Sequence, residues 1–595
     1  MITESKIICT GNAPQLFVDG SILPACAYIT YFEENNDYKE FANRGFRLFS
    51  VSLALADQPI NATSGFNPHQ GGVFDRKGQA DFSFMDAAIS RIIEVCPDAY
   101  IFPRVYVSMP QWWIEENPTE VVPVAHGKQR EALYSQKFRE DAAQMLRQVI
   151  AHFQSFPFSR NIIGYQISGG NTQEWFHLDL NGSFHKNALP YYNQYLVKNG
   201  LSPAEALPDL EAVNHSCAVL DPMQSAYIRF ANESVAETID YLCKTAKEAV
   251  AHRQVIGVFY GYTMEISNRP LWGSLSLASI LDSPYIDFFS SPNSYVSSRA
   301  LGIDWPDMMP VDSIILRKKM CFMECDIRTH LTKVPSQVRP GCDPYHIYTN
   351  AVWAGPPTEA LSVSAIRKCL GRQLTHKHGL WWFDMFGHWF ATDKLMAEME
   401  RSLELYQHQD PTLSWDAPGE VAVFLDETAT SYIGKQHPAY TAVRDMRIPL
   451  GATGAPYHVY LFSDFDRIDW KSTSYKVALF LIPKEDPLVE TAKKKLDFLG
   501  IASLGISGEK PTYSSGELRS FYSKNGVFLY SNSDDVVYAG NGYVCFHAAT
   551  EGEKTLSFPV PLKCTDLVSG SQTVTNHLCF FAEQFETRLY RVEQS

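Results

Sequence analysis

Two glutamates stand in surroundings that suit bond-breaking chemistry. Glu174 closes the run Gly169-Gly170-Asn171-Thr172-Gln173 and is followed by Trp175 and Phe176. Paired glycines let the backbone approach another group closely, and neighbouring rings that exclude water raise a carboxyl pKa. Glu324 lies within Met320-Cys321-Phe322-Met323-Glu324-Cys325, where a carboxylate among apolar neighbours is costly unless it serves a purpose. Asp326 follows two residues later and shares the face of Glu324 if the run is extended. Two carboxyl groups in unlike environments are what retaining glycoside hydrolysis uses: one gives and then takes a proton, and the other stays ionised and attacks. Glu174 is therefore the candidate acid/base and Glu324 the candidate nucleophile, with Asp326 as the alternative nucleophile. Arg104 and Arg328 are available to supply positive charge.

These residues need a scaffold. Eight short β-branched or aromatic runs, at 27–32, 46–53, 99–107, 162–168, 255–262, 286–291, 319–326 and 380–385, alternate with longer amphipathic ones. Met85, Ile89, Ile92 and Cys96 recur at helical spacing, with Ser83 and Asp86 offering a capping-box start. Phe138, Ala142, Met145, Val149 and Phe153 repeat the stripe, as does 226–251. Eight β-α units over residues 1–410 predict a (β/α)8 barrel. An open doubly wound sheet is the rival, but no glycine-rich phosphate loop follows the first strand. In a barrel the strand C-termini carry the site, which puts Glu174 after the fourth strand and Glu324 at the end of the seventh.

Trp112, Trp113, Trp175, Trp381 and Trp382 all fall near strand ends, where indole rings can stack on the C–H faces of a sugar. Adjacent strand residues point to opposite faces, so some of the five belong to the core. Trp112, Trp175 and Trp382 are the expected sugar contacts, together with Arg104, Asn171, Tyr295 and Asp326. Glu265, after the fifth strand, is a spare carboxylate. His177, His185, His376, His378 and His388 show no zinc-binding spacing, and no metal or cofactor is expected.

The texture changes after residue 410. Runs at 421–425, 458–462 and 477–482 with a helix at 487–499 predict a small α/β, flavodoxin-like domain over 411–505. Short alternating runs at 526–530, 543–548, 554–558 and 587–592, separated by turn residues, predict an antiparallel β domain over 506–595.

The chain has 595 residues, Lys+Arg 51 against Asp+Glu 66, and a net charge of -15. Polyanion binding requires clustered basic residues, so nucleic acid is not an expected partner. No run approaches the roughly 18 apolar residues of a membrane span, and no basic-then-apolar leader is visible; a soluble, cytoplasmic protein is expected. The 12 cysteines lack paired metal spacing and read as buried thiols. There is no Gly-x-Ser-x-Gly elbow or P-loop to support serine hydrolase or NTPase chemistry.

Tyr165-Gln166-Ile167, the glycine-rich turn with Glu174-Trp175, the stretch from Phe102-Pro103-Arg104 to Pro110-Gln111-Trp112-Trp113, Glu324, and Trp381-Trp382-Phe383-Asp384-Met385-Phe386 together resemble clan A glycoside hydrolases. The nearest likeness is to the glycoside hydrolase family 42 (GH42) β-galactosidases and their relatives. The resemblance covers nearly the whole chain, including the order of barrel, α/β trimerisation domain and small β domain. It implies an acid/base after strand four, a nucleophile after strand seven, a tyrosine after strand six that hydrogen-bonds the nucleophile (Tyr295), and a homotrimer. Clan A usually places Asn directly before the acid/base to contact the sugar 2-hydroxyl. Here Gln173 takes that place and Asn171 lies three residues before Glu174. The expected function is a retaining, exo-acting β-glycosidase acting on an oligosaccharide or other glycoside, with β-galactosidase preferred. A β-mannosidase on the same scaffold and a non-catalytic carbohydrate-binding protein are the alternatives.

Overall fold

A computed structural model of the chain describes residues 3–11, 13–155, 157–179, 186–210, 218–348, 353–409 and 415–594. The expected boundary at 410/411 and the imidazole of His185 lie outside the described residues.

All eight expected strands form, in parallel and in chain order around a closed ring. They are Cys26–Thr30, a second strand in two pieces (Leu48–Phe49 and Ser52–Ala54), a third in two pieces (Tyr100–Ile101 and Arg104–Val107), Gly164–Gly169, Val255–Val258, Phe288–Phe289, Met320–Cys325 and Gly379–Asp384. The eighth strand pairs with the first, Leu380 opposite Cys26 through Asp384 opposite Thr30, which closes the barrel. The third strand breaks at Pro103, which has no N–H to give to the ladder; its carbonyl still accepts from Gln166 N. Every residue of the fourth, seventh and eighth strands is buried, as expected for parallel strands covered on both faces.

The helix Gln136–Ser155 buries Phe138, Ala142, Met145, Val149 and Phe153, the stripe read from the sequence. The helix Pro222–Ala249 starts earlier than expected, with Pro222 in the first turn and the Asp221 side chain accepting from Met223 N and Gln224 N. The helix Ser83–Val95 lacks the expected capping box; instead Asp81 accepts from Ser83 N at 3.0 Å. A small antiparallel sheet that the sequence reading did not anticipate, Ser5–Thr10, Ala13–Val18 and Ser21–Leu23, sits at the N-terminal end of the barrel. Ser5 N donates to Arg253 O, and Ser5 Oγ accepts from Val255 N at 2.9 Å.

Beyond the barrel, Val421–Leu425, Tyr457–Leu461, Val477–Leu481 and Ala502–Gly505 form a parallel sheet in which the first strand lies between the second and third. Val536–Gly540, Tyr543–His547, Gly552–Asp566, Gln572–Ala582 and Thr587–Gln594 form an antiparallel one. The run at 526–530, expected as a strand, is not one. It follows a helix, Ser515–Lys524, whose start is fixed by a Ser514/Glu517 capping box.

Buried polar ties join these units to the barrel. Glu427 accepts from Leu277 N (2.7 Å) and Ala278 N (2.9 Å). Arg372, on the helix Glu359–Thr375, pairs with Asp307 at 2.9 Å and Asp304 at 3.2 Å, and Tyr538 of the antiparallel sheet donates to Asp304 at 2.5 Å. No helix among the described residues is long and apolar enough to cross a membrane. The described cysteines are free thiols, all buried except Cys9 and Cys579.

Candidate active site

The fourth strand ends in a tight, strained turn. Asn171 N donates to Phe176 O and Trp175 N to Gly169 O. Gly170 and three non-glycine residues, Thr172, Gln173 and Trp175, have φ between 58° and 67°. Side chains occupy that left-handed region only where the surroundings over-determine it, a condition met mostly at functional sites. Here the bracing comes from the second strand and the loop after it. Thr172 N donates to Ile60 O at 2.5 Å, the Asn171 carboxamide oxygen accepts from Ala62 N at 2.9 Å, and Gln173 Nε2 donates to Ser52 Oγ at 3.0 Å. Asn171 and Gln173 thus serve the turn. Trp175, expected as a sugar contact, is fully buried, with its ring against Gly169 and its Nε1–H on Ile167 O.

This turn presents Glu174. Its Oε1 accepts from Tyr262 OH at 2.7 Å. Its Oε2 lies 2.5 Å from Thr172 Oγ1, which is also 2.7 Å from the Asn171 carbonyl. One hydroxyl proton cannot serve both contacts; both are satisfied when Thr172 donates to the carbonyl and Glu174 itself carries a proton. Burial pushes the Glu174 pKa up to about 8, with the charge of Glu324 adding to the effect, so the carboxyl is protonated at neutral pH.

Glu324 is buried at the end of the seventh strand. Its Oε2 accepts from Arg104 Nη2 at 2.6 Å and from Trp381 Nε1 at 3.3 Å. Burial raises its pKa above the usual carboxylate value, and the Arg104 charge offsets only part of that rise. Arg104 is pinned: Nε donates to Gln166 at 2.9 Å, Nη1 reaches Tyr31 OH at 3.4 Å, and the guanidinium lies over Phe259, Trp381 and Phe383. A fixed cation on one oxygen is the environment that keeps a buried carboxylate ionised. Tyr31 feels the charge of Arg104, Glu324 and Glu174 together, and Glu174 feels that of Glu324, so the two glutamates are electrostatic neighbours.

Asp326, the alternative nucleophile, is differently occupied. Arg299 Nη2 is 2.6 Å from Oδ1, Arg328 Nη1 contacts Oδ2, and Tyr295 OH donates to Oδ2 at 2.6 Å. Despite full burial these partners hold its pKa below the usual carboxylate range. Tyr295 therefore bonds Asp326, not Glu324 as the resemblance implied. The tyrosine that bonds one of the two glutamates is Tyr262, on Glu174, which the sequence reading passed over.

The structure also redistributes the tryptophans. Glu324 pairs in register with Trp381, and Cys325 with Trp382; residues level on adjacent strands share a face, so Trp381 looks inward and Trp382 outward. Trp382, expected as a sugar contact, is fully buried and gives its N–H to Ser402 on the helix Asp393–Gln407. Strand alternation allowed either parity, and only the register decides it. Trp112 lines a separate pocket whose walls include neither glutamate. Glu265 is engaged by Arg447 of the α/β domain at 2.8 Å and by Ser294 Oγ and Tyr295 N. Burial holds His177, His376 and His378 neutral, and His388 pairs with Asp37 at 2.8 Å. Among the described residues no group of three or more His, Cys, Asp or Glu is placed to hold a metal ion.

No protein-family model matches the sequence, and no curated protein is similar to it in sequence. Solved structures are similar in fold. A GH42 β-galactosidase of G. stearothermophilus superposes with a TM-score of 0.61 at 11% identity over 100% of both chains. The β-galactosidase of Bacillus circulans sp. alkalophilus gives 0.57 at 11% identity, covering 95% of this chain and 98% of its own. An exo-carrageenase GH42 of Bacteroides ovatus gives 0.57 at 11% identity, covering 99% and 85%. From end to end, the chain has the fold of GH42 glycoside hydrolases.

Proposed function

We propose that the protein is a retaining, exo-acting β-glycosidase, with Glu174 as acid/base and Glu324 as nucleophile, and that its substrates are β-galactosides. The observation that carries the reading is the unlike surroundings of two neighbouring carboxyl groups: burial pushes the Glu174 pKa up to about 8, while Glu324 faces the fixed charge of Arg104. In the first step a Glu324 oxygen attacks the anomeric carbon as Glu174 gives its proton to the glycosidic oxygen, and the aglycone leaves as an alcohol. In the second, the Glu174 carboxylate takes a proton from water. The water oxygen attacks the anomeric carbon, and the bond to Glu324 breaks. Arg104 and Trp381 hold the Glu324 oxygen to which negative charge returns.

The preference for galactosides rests on the β-galactosidases of the same fold. A β-mannosidase is the second reading, favoured by one observation: Asn171 and Gln173, the amides nearest the acid/base, are committed to Ala62 and Ser52. The sugar 2-hydroxyl must then be read by other groups. The resemblance supports a homotrimer built through the α/β domain, which light scattering on the purified chain would test.

The deciding experiment is turnover of aryl β-galactoside, β-mannoside, β-glucoside, β-fucoside and α-arabinoside by the wild type, Glu174→Ala and Glu324→Ala. The reading expects cleavage of the galactoside, its loss in Glu324→Ala, and rescue of that variant by azide. Cleavage of the mannoside instead selects the second reading, and no turnover of any member turns the protein toward a sugar-binding role.

A further inference from the structure

Trp112, singled out by its type and position, does not face the catalytic glutamates, and what surrounds it forms a site of its own. A pocket of about 590 Å³ lies between the loop after the second barrel strand and the helix Gln136–Ser155. Trp112 and Trp113 form one part of its wall, Arg76 and Gln79 another, and Gln144 and Gln148 a third. We propose that this pocket is a second, non-catalytic binding site for neutral oligosaccharide chains.

Three features argue for that ligand class. First, the aromatic platform is rigid. Trp112 gives its N–H to Phe74 O at 2.8 Å, and Trp113 gives its own to Asp141 at 2.6 Å, so neither indole needs to be ordered when a ligand arrives. Trp113 is buried and only backs the wall; Trp112 is half-buried, and the side chain over its ring is the exposed, movable Lys77, with Nζ 5.8 Å from the ring centre, so a sugar C–H face can take that place on the indole. Second, the polar groups that ring it are amides free to bond. Gln144 and Gln148 are exposed and stand one turn apart on the same helix face, and no hydrogen bond engages their carboxamides among the described residues, nor that of Gln79 across the pocket. Each carboxamide offers donors and an acceptor together, the combination that adjacent sugar hydroxyls require. Third, the acidic groups of the wall are already neutralised, Asp141 by Lys137 at 2.8 Å and Glu116 by Lys77. The charged group of the wall outside these pairs is Arg76, whose guanidinium N–H groups can donate to sugar hydroxyls.

Its place in the fold gives such a site a use. The helix Gln111–Glu116, which carries both tryptophans, follows the third barrel strand. It therefore stands at the C-terminal rim, the same end of the barrel as Glu174 and Glu324. A glycan chain held here would stay beside the catalytic mouth between encounters, raising its local concentration there. The binding itself is independent of the proposed hydrolysis and is tested apart from it.

Native electrophoresis of the full-length protein in gels containing galactan, galactomannan or no polysaccharide makes the test. The wild type is expected to be retarded by at least one of the two neutral polymers. Trp112→Ala should raise the apparent Kd about tenfold, the ordinary effect of losing an aromatic anchor. The exposed pair Gln144→Ala/Gln148→Ala, which has no folding role in this structure, should weaken retardation and leave aryl glycoside turnover unchanged. Circular dichroism verifies that Trp112→Ala is folded. Absence of retardation by both polymers overturns the proposal, as does retardation that is equal in the wild type and the glutamine double variant. Failure of aryl glycoside turnover alone overturns only the hydrolytic reading.

Discussion

Arg104, on the third barrel strand, places Nη2 2.6 Å from Oε2 of Glu324 on the seventh, a residue 220 positions later in the chain. The pair spans the barrel interior, and both side chains are almost completely buried. Gln166 and Tyr31 hold the rest of the guanidinium, so the cation is fixed before any substrate arrives. Preorganised charge of this kind needs no rearrangement at the moment of reaction.

Replacing Arg104 with Met leaves Glu324 buried without its counter-charge. Removing one partner of a buried pair destabilises by about 3–5 kcal/mol, to be read by urea unfolding at neutral pH. The Glu324 pKa, already raised by burial, climbs further, so the acid limb of kcat/KM moves to higher pH. An unmoved acid limb would show that Arg104 does not govern the nucleophile.

The Glu174 carboxyl, pushed from 4.5 up to about 8, should set the alkaline limb of kcat/KM, since the acid must be protonated in the free enzyme. The same shift affects stability. The folded state retains a proton that the unfolded chain releases near 4.5, so the contribution is complete below that pH and is lost as pH rises through about 8. Glu174→Gln cannot ionise; its Tm relative to wild type should rise steadily across that window, while kcat/KM drops about 10²–10⁴-fold. A constant Tm difference from pH 4.5 to 8.5 would contradict the raised value.

Asp326 tests the assignment of the nucleophile. Asp326→Asn leaves Arg299 and Arg328 buried without their shared carboxylate, so a stability loss of about 3–5 kcal/mol is expected. Turnover that remains should not respond to azide, in contrast to Glu324→Ala. Azide rescue of the Asp326 variant would transfer the nucleophile role.

Trp381 and Trp382 differ only in the face they present. Trp381→Phe removes an N–H from the Glu324 carboxylate and should lower kcat/KM about tenfold, the low end for a hydrogen bond to a charged group. Trp382→Phe removes the bond to Ser402, and its effect should be a stability loss of about 1 kcal/mol or more. Equal kinetic effects would contradict the register.

Much of this was legible in the chain because local patterning carries it. All eight barrel strands lie where β-branched and aromatic runs mark them, and the stripe Phe138 to Phe153 is the buried face of its helix. Turn residues were less decisive. The segment at 526–530 has strand-like composition, yet it is tied down by the preceding helix, with Val527 N donating to Tyr522 O, and does not join the sheet.

The sequence by itself determined which carboxyl groups stand at strand ends, because hydrophobic periodicity and glycine placement are properties of neighbouring residues. It could not decide which partners those groups meet. That Tyr295 bonds Asp326, that Tyr262 and Thr172 receive Glu174, and that Trp381 turns inward while Trp382 turns outward all depend on strand register and loop docking. Asn171 looks like a sugar contact in a linear reading; in the fold it and Gln173 brace a left-handed turn against Ala62 and Ser52. These last two contacts join residues 109 and 121 positions apart, and closing the barrel is the physical event that brings them together.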